Sequence, residues 1–211
     1  MLKKLVSIFI FTFYLNTISG ATDLTTVKSV YLDPGLGEEE TFVPLEFLLE
    51  ESNKKTTTPL TVADQIARDK GQILLVGSTF SDWPEELQGL LQTYPLPAGK
   101  EGYRILSTGN QIYIQGVDFQ GLLFGVGYFL RKASYADNLQ WNGSNISTAP
   151  DKPIRGHQIG YRNTANSYDA WTIGQYEQYI RDMIVFGTNA LENIPFADDA
   201  DHFPISSREM N

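Results

Sequence analysis

The sequence contains no cysteine. Disulfides, thiolate metal centres, cysteine nucleophiles and a lipid-modified N-terminal cysteine are therefore excluded. Histidine is nearly as scarce, with only His157 and His202, which argues against a zinc enzyme; no motif asks for a metal or any other cofactor. Basic residues are few, 16 against 25 acids for a formal net charge of −9, and no Lys/Arg cluster in the body of the chain offsets the acids. A phosphate-neutralising surface is missing, so nucleic acid is not an expected partner. Long apolar runs are absent too: the longest, Leu5–Leu15, has 11 residues, whereas a bilayer-spanning helix needs roughly 20.

What is present is the composition of an ordinary globular protein: 211 residues, 42% hydrophobic and 19% charged, with 18 Gly and 10 Pro. Lys3 and Lys4 precede the apolar run, and Ser19, Gly20 and Ala21 follow it. Charged, apolar and small-residue regions in that order read as a secretory signal peptide over residues 1–21. Cleavage after Gly20 or Ala21 removes two lysines and no acid, leaving a net charge of about −11. The expectation is an exported protein, periplasmic or extracellular, with no membrane association after cleavage.

Residues 22–137 mix strand and helix signals. Lys28–Leu32 and Gln72–Val76 are β-prone, the second an apolar run stopped by Gly77. Pro44–Glu51 and Thr61–Lys70 have helical character, the latter ending before Gly71. Pro84–Leu91 carries proline and acids in its first turn, which suits the free donors and positive end of a helix N-terminus. A hairpin follows, Tyr103–Leu106 and Gln111–Gln115 around Gly109-Asn110, with Ile112 and Ile114 alternating against polar neighbours. Asp118 then caps a helix whose Phe119, Leu122, Leu123, Val126 and Leu130 form one stripe. Gly121, Gly125 and Gly127 interrupt it. They lie inside the helical pattern rather than between strand and helix, so they predict close backbone packing on a sheet and not a phosphate loop.

Residues 138–153 are polar and turn-rich, end in prolines, and read as a linker; they hold two N-glycosylation sequons, at Asn142 and Asn145. Beyond them, Ile154–Tyr161 reads as a strand, Thr172–Phe186 as a helix and Asn189–Ile194 as a second strand. Thr172 and Gln175 fit a capping box, Ile173, Tyr176, Ile180, Met183 and Ile184 form an apolar stripe, and Gly187 ends the helix. This is one βαβ unit, with parallel strands. Alone it has too few strands to bury its own faces, so residues 154–211 read as the front of something longer.

Two stretches carry a family resemblance. Gly102–Lys132, a hairpin ending in Gly116 followed by Asp118 and a glycine-containing helix, resembles the end of the small α+β domain that precedes the catalytic barrel in family 20 β-hexosaminidases and family 67 α-glucuronidases. Lys152–Phe196, with KPIRGHQIGYR, NSYDAW and YEQYIRDMIVFGTNALENIPF, resembles the first strand, helix and second strand of that barrel. With the segment between them the two span about half the chain, in the right order. The resemblance implies an α+β accessory domain, its antiparallel or mixed sheet covered by helices on one face, and then the incomplete start of a (β/α)8 TIM barrel. It implies an O-glycosyl hydrolase with its site at the C-terminal ends of the barrel strands, acting on carbohydrate once the barrel is complete.

The resemblance gives Arg155, next to Gly156, a sugar-binding role; the residues alone equally allow Arg155 to pair with an acid for structure. Tyr161, Arg162, Asn163, Asn166 and Trp171 offer stacking faces and hydrogen-bonding groups of the kind a sugar site uses, although Tyr161 and Trp171 equally suit core filling. His157 alternates with Gln158, so that one faces a barrel interior and the other its helices. Glu192 is either a sugar-hydroxyl acceptor or, like Asp198, Asp199 and Asp201, part of a solvated acidic loop. No pair of hydrolytic carboxyl groups is identifiable, so the chain alone is expected to be inactive. The competing reading is a non-catalytic carbohydrate-binding or interaction module whose last 60 residues pack on the small domain.

Overall fold

The fold is given by a computed structural model that describes residues 24–160 and 171–194. The expected signal peptide, Tyr161, Arg162, Asn163, Asn166 and the acids after Ile194 lie outside the described residues. Strand β1 spans Thr25–Leu32, helix α1 Glu38–Asn53, β2 Thr61–Ala63 and β3 Gly71–Val76. A single 3-10 turn at Glu85–Leu87 runs into α2, Gln88–Thr93. Then come β4 Tyr103–Thr108, β5 Gln111–Gly116, α3 Phe119–Lys132, and the short strands β6 Ser134–Tyr135, β7 Leu139–Trp141 and β8 Ile146–Thr148.

These eight strands form one mixed sheet along the path β6-β7-β1-β3-β5-β4-β8, with β2 also on β1. The pairs β1/β2, β1/β3 and β3/β5 are parallel, and β4 is antiparallel to both β5 and β8. The domain is α+β, as the sequence pattern predicts. Every residue of β3 and of β5 is buried, as central strands covered on both sides require.

The cover differs from the expectation of helices on one face. Ile73, Leu75, Ile112 and Ile114 pack beneath α1 and α3 through Phe47, Leu48, Leu122, Val126 and Phe129. The alternate residues Leu74, Val76, Leu106 and Tyr113 lie on the opposite face, beneath Leu87 of the 3-10 turn with Phe80, Trp83, Leu90 and Tyr94. The polar residues of β5 therefore end up buried, each hydrogen-bonded to another side chain. The Tyr113 hydroxyl donates to Gln111 Oε1 at 2.8 Å, and Gln115 Oε1 accepts from Arg104 Nε at 2.7 Å.

Three local readings change. Thr61–Lys70 is not a helix: β-branched Thr61 and Val62 join β1 in parallel, and the Gln72 amide holds the following loop by accepting from Ala67 N–H at 2.8 Å and donating to the Gln65 carbonyl at 3.1 Å. The helix expected at 44–51 extends to Glu38–Asn53 with Pro44 inside it. The stretch read as a linker supplies β7 and β8, and Trp141 is fully buried with its ring 4.8 Å from that of Phe129.

The hairpin and the capped helix are as expected. Gly109, at φ +51°, is the first residue of a two-residue turn between Thr108 and Gln111. Asp118 accepts from Gly121 N–H at 2.8 Å and so caps α3. Gly121 abuts the Gly102 carbonyl and Gly125 abuts Ile114, so two of the three helix glycines do admit the sheet side. Gly127 admits another helix instead.

That helix is α4, Ile173–Val185, set between β9 Gly156–Gly160 and β10 Ala190–Ile194. β9 and β10 are parallel, with His157 opposite Leu191 and Gln158 opposite Glu192. Thr172 and Gln175 form the expected capping box, and Gly187 has the left-handed φ of +82° that a helix end favours. α4 docks on the sheet domain: a Cβ at Gly127 would lie 3.0 Å from Val185 Cα, Arg181 pairs with Glu50 at 2.6 Å, and Gln178 Oε1 accepts from Lys54 Nζ at 2.8 Å. The stripe read along α4 is only partly inward. Ile184 packs against the first core, whereas Ile173 is 79% exposed. Among the described residues no helix is long and apolar enough to cross a membrane.

Candidate functional site

Strand alternation decides which side chains of the βαβ unit share a face. The His157 ring meets Tyr179 of α4 edge-on at 5.6 Å, so the His157 face of β9 is the helix side. Trp171, just before α4, packs edge-on against Tyr179 at 5.1 Å and Tyr176 at 5.4 Å. Two candidates, His157 and Trp171, are thus brought together, but as members of an aromatic layer under the helix. Gln158 points the other way. Its register partner Glu192 is exposed and shares that opposite face.

Arg155 lies at the other end of the strand, one residue before β9 begins. Each nitrogen of its guanidinium donates: NH2 to Glu101 Oε2 at 2.6 Å, Nε to the Gly187 carbonyl at 2.7 Å and NH1 to the Lys152 carbonyl at 2.7 Å. The group also lies over the Phe124 ring, 5.2 Å from its centroid. Asn189 completes the cluster by donating to Glu101 Oε1 at 2.9 Å and accepting from Arg155 N–H at 2.8 Å. Glu101 is itself unusual, with φ +59° in a residue that is not glycine. Its backbone N–H donates to Asp118 Oδ2 at 2.9 Å, so the residue that caps α3 also holds this turn. Arg155 thus makes the structural pairing with an acid.

Around this latch lie two clefts. One, of about 190 Å³, runs between β4, the end of β8 and the C-terminal end of α4. The other, of about 290 Å³, lies between α3 and α4, and its lining includes Leu123, Phe124, Ile180, Met183 and Leu191. Both include Glu101 and Phe124. Burial raises the Tyr103 hydroxyl at the first cleft to about 12, with Arg131 opposing that shift. Burial likewise raises Tyr113 and Tyr135 in the sheet domain to about 12. Among the described residues no group of three or more His, Asp or Glu is placed to hold a metal ion.

No protein-family model and no curated protein matches the sequence. Solved structures do match. The GH20 exo-β-N-acetylglucosaminidase of Vibrio harveyi, solved with N-acetylglucosamine, superposes on 81% of this chain with a TM-score of 0.57 at 13% identity. The GH20 β-N-acetylhexosaminidase of Streptomyces coelicolor A3(2) matches 79% with a TM-score of 0.56 at 17% identity. A family GH115 4-O-methyl-α-glucuronidase with specificity for decorated arabinogalactans matches 82% with a TM-score of 0.55 at 10% identity.

The fold is one that glycoside hydrolases contain. At these identities the likeness is one of fold, and the chain spans only 23%, 30% and 26% of the three matched chains. The hexosaminidase likeness noted in the sequence recurs in three dimensions, and the glucuronidase likeness recurs through family 115.

Sequence reasoning missed Gln158, Glu101 and Asn189. Gln158 was open to detection, since its alternation with His157 left one of the two facing inward. Glu101 and Asn189 carry no local signal, because the contact joining them spans 88 residues.

Proposed function

We propose that the chain is the front portion of an exported glycoside hydrolase of carbohydrate catabolism: a leader at 1–21, an α+β accessory domain to 137, and the first βαβ of a (β/α)8 barrel from 154. The supporting observation is the parallel β9–α4–β10 unit seated on the sheet domain, within a fold that covers 81% of the chain in a GH20 structure. On this reading Gln158 and Glu192 line the barrel interior, with Glu192 accepting from sugar hydroxyls. Tyr161, Arg162 and Asn163 follow the C-terminal end of β9 in sequence, the end at which barrel enzymes place their sites. Arg155 braces the opposite end.

Hydrolysis takes two carboxyl groups, roughly 5 Å or 6.5–9.5 Å apart, or one acid and a substrate acetamido group. Among the described residues of the barrel face only Glu192 qualifies, so the 211-residue chain by itself is read as inactive. The test is the coding sequence beyond codon 211 together with an aryl-glycoside panel that includes N-acetylglucosaminide and glucuronide. Further in-frame strand–helix units with inward acids, and turnover only by the extended protein, are expected. Turnover by the short chain, or no continuation, would overturn the reading.

The docking of α4 on α1 and α3 also suits the second reading, a carbohydrate-binding module without chemistry. It predicts sugar binding without turnover, and a compact core through residue 194 under limited proteolysis. Export is checked by N-terminal sequencing of secreted material, which should begin after Gly20 or Ala21.

A further inference from the structure

The cleft beside the latch carries a charge that the protein does not use. Arg131, on the last turn of α3, lies over the Tyr128 ring at 5.3 Å and the Phe186 ring at 5.1 Å. Among the described residues no carboxylate lies within ion-pair distance of it, although the chain has a net charge of −9. The one acid lining the cleft among the described residues, Glu101, is neutralised by Arg155 at 2.6 Å, and Asn189 bonds both of its carboxylate oxygens. Arg131 thus presents an exposed guanidinium that has no carboxylate partner among the described residues and is oriented by two rings.

Neutral donors stand near it. The Tyr103 and Thr148 hydroxyls line the same cleft and have no hydrogen-bond partner among the described residues. The phenol is a protonated donor at neutral pH, and burial raises it further to about 12. The walls are apolar: Phe124 and Phe186 line them, and Phe186 is 70% exposed at the rim. A cation, two hydroxyl donors and an exposed ring in a volume of about 190 Å³ suit one small ring that bears an anionic group.

We infer that the cleft between β4, α3 and the end of α4 binds a ring-bearing carboxylate, with Arg131 on the carboxylate, Tyr103 and Thr148 on polar substituents and Phe186 against the ring. Uronic acids and aromatic acids share this chemistry. The inference does not need a completed barrel: Arg131, Tyr103 and Thr148 lie in the sheet domain, and Phe186, one residue after α4, is the part of the βαβ unit that takes part.

The test is calorimetric or NMR titration of the 211-residue chain with D-glucuronate, benzoate and neutral glucose. At least one of the two carboxylates should bind about tenfold or more tightly than glucose, the scale of a charge-assisted hydrogen bond, and Arg131→Gln should remove that margin. Glucuronate ahead of benzoate makes the ligand a sugar acid, and the reverse makes it an aromatic acid. Thermal unfolding reports whether Arg131→Gln still folds. If it does not, Tyr103→Phe keeps the ring, removes one donor and should weaken the same carboxylate about threefold or more. Parity of both carboxylates with glucose overturns the inference, as does undiminished binding by the folded variants. Turnover on aryl glycosides reads the proposed function separately, so the two fail independently.

Discussion

Glu101 grips Arg155 across 54 residues of chain, carboxylate to guanidinium at 2.6 Å, and thereby ties the turn before β4 to the residue before β9. Both side chains are mostly buried, at 17% and 23% exposure, so each depends on the other to offset lost hydration. Glu101→Gln should destabilise the protein by about 1–3 kcal/mol, since it leaves the Arg155 charge half-buried without its carboxylate. Urea denaturation measures the loss. Limited proteolysis should show new cleavage between residues 152 and 194 first, because the latch anchors that segment.

The positive φ of Glu101 separates backbone strain from the ion pair. Glu101→Gly removes a conformational cost of order 1–2 kcal/mol together with the carboxylate. It should therefore be less destabilising than Glu101→Ala, which keeps the strain and loses the pair. A thermal-unfolding comparison that finds the two variants equal would show that the turn carries no such strain.

The α3 glycines are not interchangeable with other helix glycines. Gly121→Ala forces a methyl group into the Gly102 carbonyl and should cost about 2–3 kcal/mol or more, since backbone must move. Gly89, in α2, has open space around its Cα, and Gly89→Ala should stabilise by up to about 1 kcal/mol. Opposite signs in chemical denaturation are the expected result.

Alkaline pH should unfold the protein through its buried phenols. Tyr103, Tyr113 and Tyr135 are raised to about 12 from 10.0, chiefly by burial, so the native state holds protons that the unfolded chain releases. For groups raised in this way the stabilisation is fully present below pH 10 and is lost as pH climbs toward 12. Tyr113→Phe should flatten part of that decline, as read from urea midpoints across the alkaline range.

His157 and Glu192 should separate stability from chemistry. His157→Ala removes the ring contact with Tyr179 and should cost about 0.5–1.5 kcal/mol; on the proposed glycosidase reading it should leave turnover by the extended protein intact. Glu192→Gln, at an exposed position, should change stability by less than about 0.5 kcal/mol and lower that turnover. The reverse pattern would assign the inward face to His157.

Local signals carried much of the architecture. The run Gln72–Val76, the Gly109 turn, the Asp118 cap and the Thr172/Gln175 capping box all act within a few residues, so each was legible in one dimension. Thr61–Lys70 was misread because its helical composition was outweighed by an edge of β1 open to Thr61 and Val62, contacts that lie 32 residues back. The polar look of Asn138–Pro153 hid β7 and β8 in the same way: Trp141 is buried only because Phe129 and β1 happen to stand beside it.

The sequence by itself determined the α+β character, the parallel βαβ unit and the exclusion of thiol chemistry, because periodicity, caps and composition are properties of neighbouring residues. Only the tertiary structure decided that His157 turns to the helix while Gln158 and Glu192 turn away, that Arg155 serves as a brace, and that Arg131 stands beside a cleft with no carboxylate partner among the described residues. Those outcomes depend on which distant carboxylate or ring reaches each side chain first. Charge neutralisation and packing over 50 to 90 residues of separation leave no periodic trace in the chain.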